Sequence, residues 1–237
     1  MLTTIFDDAA GLSAHAATRI RDLLSATLSR RGMCVLALSG GTTPGPSYRR
    51  LSAMAVDWSR VQILQTDERI SGEKAATAAA AIEQDLIEPA GVPSDNWHPM
   101  PHDGVGLDAA IDRYASLFRR LCPTGSPDVA VLGLGDDGHT ASLFGNEPAE
   151  SEPVLRTGPY GGTERISLSA VALRRAEARL MLVSGSGKAS AVKALAVADP
   201  LDATPAVRIM FRHGELLVDR DAAADLAGPS DTARHLR

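Results

Sequence analysis

Residues 128–144 read DVAVLGLGDDGHTASLF. The first half is a near-continuous apolar run, the pattern of a parallel strand covered on both faces. It passes into a turn that contains Gly133, Gly135 and Gly138, with Asp136, Asp137 and His139 among them. Paired glycines permit a tight reversal, and Gly138 is placed for a positive φ. A chain that only reversed direction would need no ionisable ring there. The following TASLF reads as a short helix.

Four more runs share the strand character of 128–134: MCVLAL (33–38), VQILQT (61–66), LMLVS (180–184) and AVRIMF (206–211). Helical patterns over 11–31, 44–54, 74–88, 106–121 and 187–198 separate them. Strands alternating with helices predict an α/β fold, a mainly parallel sheet with helices on both faces. In such sheets ligands collect at the carboxyl ends of the strands. The Pro/Gly-rich 91–104 reads as a loop holding at most a short strand. The longest irregular segment, 145–164, reads as a surface loop near the site or a lid. At the C-terminus, GELLVDRDAAADLAG predicts a last strand and a short helix. No internal repeat or low-complexity linker divides the chain, so residues 1–237 are read as one domain.

Composition narrows the partners. With 22% charged residues and a formal net charge of −5, no basic stripe for nucleic acid is present. No window approaches the 18 apolar residues of a membrane span, and the N-terminus lacks the pattern of a signal peptide. The two cysteines, Cys34 and Cys122, lie far apart in or beside apolar runs, which suits free thiols in a reducing compartment, the cytoplasm. His98 and His102 have i,i+4 spacing, but Pro99 and Pro101 forbid a regular helix, so no metal site is expected.

The unusual residues follow the predicted strands. After the first comes Ser39-Gly40-Gly41-Thr42-Thr43, before a helix led by Pro44 or Pro46. Its glycines let backbone N–H groups approach an oxyanion, and its hydroxyls add donors. It lacks the Walker GxxxxGK[ST] pattern, so no nucleotide is implied. A capped strand-to-helix turn is the plainer alternative. After the second strand come Asp67, Glu68 and Arg69, either a solvated turn or a site whose arginine forks onto phosphate or an oxyanion. In the third turn, His139 can accept a proton from water if a carboxylate, Asp136 or Asp137, fixes its tautomer. In the fourth, Gly185 and Gly187 precede Lys188 at a helix start, where the macrodipole disfavours a cation unless an anion compensates. Arg165, in ERISLS, is one more candidate anion contact.

With SGGTTP (39–44), DER (67–69), GLGDDGHTASLFG (133–145), RISLS and SGSGKASAV all present and in order, the chain resembles the bacterial 6-phosphogluconolactonases of the wider glucosamine-6-phosphate isomerase/deaminase-like family. The resemblance spans nearly the whole chain, and DGHTASLF is its most specific element. It implies a deaminase/ribose-phosphate-isomerase-like fold and hydrolysis of a sugar-phosphate lactone in the pentose phosphate pathway, with no metal or organic cofactor. It also implies roles by position. His139 is the general base, Asp137 the aspartate of the DGH element, Arg69 the DER arginine, and Asp67 the strand-end aspartate that the deaminases use in proton transfer. Lys188 matches a phosphate-binding lysine. Ser39, Gly40, Gly41, Thr42, Thr43 and Arg165 complete the expected phosphate and substrate contacts.

The chain departs from the family pattern after Arg69. DERISGEKAATAAAA lacks the usual Val-Pro pair and Ser-Asn, and Gly145 stands where TASLFP would close with proline. Two rival functions are weaker. The deaminases resemble DGHIAFNEP, whereas Glu147 lies three residues further along here. A non-catalytic sugar-phosphate-binding regulator would carry a helix-turn-helix ahead of the sheet. Only about 32 residues precede the first predicted strand, enough for one helix. The expected partner is a small sugar phosphate, not nucleic acid or membrane, and the sequence leaves the oligomeric state open.

Overall fold

A computed structural model describes residues 1–70, 77–103, 106–145, 152–198, 204–211 and 214–226. It opens with strand β1 (Leu2–Phe6) and helix α1 (Ala9–Arg31). The Asp8 carboxylate accepts from Gly11 N at the helix start, and Gly32 ends it at φ 79°, a left-handed position that costs a residue without Cβ little. Strand β2 (Cys34–Leu38) leads to α2 (Gly45–Ser52), then β3 (Val61–Gln65) and the short β4 (Asp67–Arg69). Next come α3 (Ala78–Ile82), a π turn (Glu83–Ile87), α4 (Glu88–Ala90), β5 (Trp97–His98) and α5 (Leu107–Leu121). The rest is β6 (Val129–Leu132), β7 (Val154–Tyr160), β8 (Thr163–Leu168), α6 (Ala170–Arg174), β9 (Ala178–Val183), α7 (Ala189–Val197), α8 (Pro205–Met210) and β10 (Gly214–Asp219).

Seven strands form one parallel sheet in the order β1-β10-β9-β6-β2-β3-β5. Every residue of β2 is buried, because both faces are covered. Val35 and Ala37 join a core built with α5, β8 and α6–α8, while Leu36 and Leu38 join the core beneath α1 and α2. Running outward from β2, the chain adds β3 and β5 on one side. It then returns to lay β6 on the other. The crevice between the carboxyl ends of β2 and β6 is therefore a topological switch point, where α/β sheets bind ligands. A second sheet, β4-β8-β7, is antiparallel and stands over that edge.

The parallel α/β expectation holds, and its details need four corrections. The predicted strand 206–211 is helix α8 instead. Pro205 opens it, and Ala206, Val207, Ile209 and Met210 bury one face at helical spacing. The expected irregular segment 145–164 is a hairpin from Val154 onward, with residues 146–151 outside the described ones. TASLF is not a helix but a tight turn, bridged between Thr140 and Leu143 with Ala141 at φ 49°. After β10 the chain turns through 220–226 without the expected helix. The predicted helix 74–88 is seen from Ala78, and residues 74–76 lie outside the described range. Among the described residues no helix is long and apolar enough to cross a membrane.

Candidate active site

The sheet order explains why four separated motifs meet. They follow β9, β6, β2 and β3, four adjacent strands, so their turns line one edge. The turn after β6 is the most constrained. Gly135 N donates to His139 O (2.8 Å), Gly138 N donates to Gly135 O (3.0 Å), and Thr140 Oγ1 donates to Gly133 O (2.7 Å). Gly138 sits at φ 83°. This loop turns Asp137 back onto His139, with Nδ1 and Oδ1 2.5 Å apart. His139 N donates to the same oxygen (3.1 Å). A carboxylate only accepts, so Nδ1 is the donor, and in the neutral ring the lone pair is then on Nε2.

Asp137 is the partner of the histidine; Asp136 faces the other way. Its Oδ1 lies 2.5 Å from Lys188 Nζ. Partial burial pushes the Asp137 carboxyl up, but hydrogen bonds from the His139 ring, the His139 backbone and Tyr160 outweigh it and hold it at about 2. The turn that leads to Lys188 is anchored by Asp219, a residue with no expected role. The Asp219 carboxylate accepts from Ser184 Oγ (2.5 Å), from Gly185 N (3.1 Å) and from Ala222 N (2.8 Å). Those bonds set the turn that precedes Lys188.

Asp67 joins the other two motifs. Its Oδ2 accepts from Ser142 Oγ (2.7 Å) and its Oδ1 from Thr66 Oγ1 (2.9 Å). Thr66 spends its proton on Asp67, so Ser39 Oγ, 2.7 Å away, donates to Thr66. Burial pushes the Asp67 carboxyl up, against the two hydroxyls. The chain Ser39–Thr66–Asp67–Ser142 thus straps the glycine loop after β2 to the histidine turn after β6. Tyr48, from α2, donates to Ser39 O (2.8 Å) and holds the loop from beneath. Gly40 is required here, since a Cβ on it would lie 2.5 Å from Ala78 Cβ. Ala78 and Ala79 occupy the region where the family pattern has Ser-Asn, and their contribution is backbone. Their N–H groups reach Glu68 at 3.0 and 2.8 Å.

Arg69 and Arg165 are directly opposed across the antiparallel β4–β8 pair. Like charges in this position repel. Burial lowers the Arg165 guanidinium, and Arg69 lowers it further. Its Nε is buried without a hydrogen-bond partner. The guanidinium carbon lies 5.6 Å from the Phe144 ring centre and 5.4 Å from that of Tyr160. Among the described residues neither guanidinium makes an ion pair, and a guanidinium fork is suited to an anion.

The structure therefore gathers His139, Asp137, Asp67, Ser39 and Arg165 into hydrogen-bonded or stacked contact around the β2/β6 edge. Lys188 joins through Asp136, and Arg69 through its place opposite Arg165. Gly41, at φ 110°, and Thr42 are exposed on the glycine loop, and Thr43 is half-buried. Among the described residues no hydrogen bond ties the hydroxyls of Thr42 and Thr43 to the other site residues. His98 Nε2 pairs with Gln62 Oε1 at 2.7 Å. Tyr160, Phe144 and Ser142 had no expected role, and Glu68, read with Asp67 and Arg69 as a solvated turn or a site, is buried. One signal for Tyr160 was in the sequence, the Gly161-Gly162 dipeptide between Tyr160 and Thr163, which is a two-residue hairpin signature.

The profile of the family described as glucosamine-6-phosphate isomerases/6-phosphogluconolactonase matches residues 7–218. A protein of Mycobacterium tuberculosis named 6-phosphogluconolactonase is 34% identical over 240 residues, covering 94% of this chain and 97% of that one. One of the same name from Synechocystis is 29% identical over 86% of this chain and 89% of its own. Among solved structures, that of a 6-phosphogluconolactonase from Thermotoga maritima superposes with a TM-score of 0.81. At 24% identity, over 92% of this chain and 99% of that one, this likeness speaks to the fold. The chain belongs to the glucosamine-6-phosphate isomerase/6-phosphogluconolactonase family.

Proposed function

We propose that the chain is a 6-phosphogluconolactonase, a single-domain carboxylic ester hydrolase that converts 6-phospho-D-glucono-1,5-lactone to 6-phosphogluconate in the pentose phosphate pathway. Family membership and the names of full-length relatives support the reaction. The observation that carries the mechanism is the Asp137–His139 contact of 2.5 Å, with Arg69 and Arg165 opposed on the neighbouring β4–β8 pair.

In this mechanism Nε2 of His139 takes a proton from water as its oxygen attacks the lactone carbonyl. Asp137 stabilises the imidazolium so formed. Its carboxyl is held at about 2, so it stays anionic at every working pH. The tetrahedral oxyanion develops on the former carbonyl oxygen, and Arg69 is the donor assigned to it. Collapse expels the ring oxygen, which recovers the proton from His139 and leaves as a hydroxyl. A positioned base contributes about 10²–10⁴-fold, and one oxyanion donor about 10²–10³-fold.

Arg165, Lys188 and the loop of Ser39, Gly40, Gly41, Thr42 and Thr43 are assigned to the phosphate. In the free enzyme Asp136 holds the Lys188 ammonium that the phosphate would share. Binding energy from this remote group orients the ring against His139. Asp67, with both oxygens taken by hydroxyls, is assigned to holding the two loops in register. The reaction needs only water and protein groups, so no cofactor is assigned. A sugar phosphate of charge near −2 does not cross a bilayer unaided, so the cytoplasm is the proposed compartment.

Purified protein is assayed on the phosphorylated lactone generated in situ, with spontaneous opening subtracted. The unphosphorylated lactone and glucosamine 6-phosphate run alongside. The expected result is enzymatic hydrolysis of the first, a kcat/KM at least about 100-fold lower for the second, and no deamination of the third. A rate equal to spontaneous opening overturns the reading, as does deamination of the amino sugar.

A further inference from the structure

Asp137 stands on an exposed turn, with 45% of its side chain accessible. His139 holds only one of its oxygens, Oδ1, which leaves the other free to swing unless something holds it. Tyr160 does so: its hydroxyl donates to Asp137 Oδ2 at 2.8 Å while Oδ1 serves His139.

The tyrosine is itself fixed. It ends β7 and pairs with Thr163 across the two-residue turn Gly161-Gly162, whose φ values of 58° and 78° suit a tight hairpin. Its ring stacks on Phe144 at 4.2 Å and 9°, and both aromatic rings flank His139, at 5.5 and 4.9 Å. The Arg165 guanidinium lies beside the pair. A hydroxyl so held can only donate toward the carboxylate. The hydrogen bond to Asp137 and the charge behind it push the phenol up, which keeps the donor protonated as the pH rises.

We propose that Tyr160 is a positioning residue for this reaction, its hydroxyl locking Asp137 in the orientation that fixes the His139 tautomer. The inference rests on His139 being the general base. Tyr160 touches neither water nor lactone in this role; it acts through Asp137 alone. A surface hydrogen bond of merely structural value would give stability and leave turnover unchanged.

The test is a double-mutant cycle on lactone hydrolysis with Tyr160→Phe, Asp137→Ala and the combination, beside His139→Ala. Phenylalanine keeps the stack on Phe144 and removes only the hydroxyl. In the otherwise native enzyme, Tyr160→Phe is expected to lower kcat about 5- to 20-fold with KM changed less than about twofold. With Asp137 already replaced, the same change is expected to alter kcat less than about 1.5-fold. Full kcat in Tyr160→Phe overturns the proposal. So does an equal loss in both backgrounds, or a loss carried by KM. If His139→Ala is also near fully active, the general-base reading falls with it. If His139→Ala is inactive while Tyr160→Phe is fully active, only the role of Tyr160 falls.

Discussion

Gly135 lies against the His139 ring so closely that a methyl group on its Cα would sit 2.1 Å from Nδ1 and 2.8 Å from Asp137 Oδ1. The glycine is needed for space, since it is not among the positive-φ glycines. Gly135→Ala therefore has one inexpensive response, rotation of the imidazole away from Asp137. The expected result is a fall in kcat of about 100-fold, with a melting temperature within a few degrees of wild type. Gly133→Ala, whose Cβ meets nothing within 4 Å, serves as the nearly silent control. Steady-state kinetics and thermal melts of the two variants check this.

The opposed Arg69 and Arg165 predict an exchange of stability for binding. Arg69→Ala removes a like-charge neighbour from a half-buried guanidinium. In phosphate-free buffer the variant should melt no lower than wild type, and up to about 2 °C higher. Its KM for the phosphorylated lactone should rise about tenfold or more, and its kcat should fall as well, because Arg69 is the assigned oxyanion donor. Inorganic phosphate should stabilise wild type and stabilise the variant less. Melting curves with and without phosphate, together with saturation kinetics, decide it.

Glu68, only 1% exposed, has no assigned chemistry and a large structural duty. Its carboxylate accepts from Arg69 N (2.8 Å), Gln65 Nε2 (2.9 Å), Ala78 N (3.0 Å) and Ala79 N (2.8 Å). It thereby caps the first turn of α3 and fixes the strand that carries Arg69. Glu68→Ala leaves several buried donors unsatisfied and is expected to cost about 2–4 kcal/mol, read from denaturant unfolding.

Asp137 also links stability to pH. Its folded carboxyl, at about 2, lies below the unfolded value of about 3.9. A depressed carboxyl contributes stability that is fully present above about pH 4 and lost as the pH falls toward 2. The melting-temperature gap between wild type and Asp137→Asn should be constant above about pH 5 and close below pH 4. The gap itself should be small, a few degrees at most, because the side chain is 45% accessible and solvent screens it. Melts of both proteins from pH 2 to 7 measure it.

The sheet was legible where physics made its strands plain. β2, β3, β6 and β9 are buried on both faces and therefore continuously apolar. β1 escaped because it is an edge strand with Leu2 and Ile5 exposed, and its Thr3-Thr4 centre gave no apolar run. α8 was misread because Val207 and Ile209 carry strand propensity, while Pro205 and the burial of Ala206 and Met210 favour a helix. The four turns at the carboxyl edge could be found from glycine next to charge. Which of Asp136 and Asp137 faces His139 could not, since the backbone path through Gly138 decides it. Tyr160 and Ser142 stayed hidden for a different reason. Each reaches the site through tertiary pairing, Tyr160 to Asp137 and Ser142 to Asp67, partners 23 and 75 positions apart in the sequence.

The most direct measurement is turnover by His139→Ala beside wild type, each corrected for spontaneous lactone opening. If His139 is the base held by Asp137, the variant should lose about 10²–10⁴-fold in kcat while KM stays within about threefold. A variant that keeps near-full kcat would contradict the account, because the group that takes the proton from water would then not be His139.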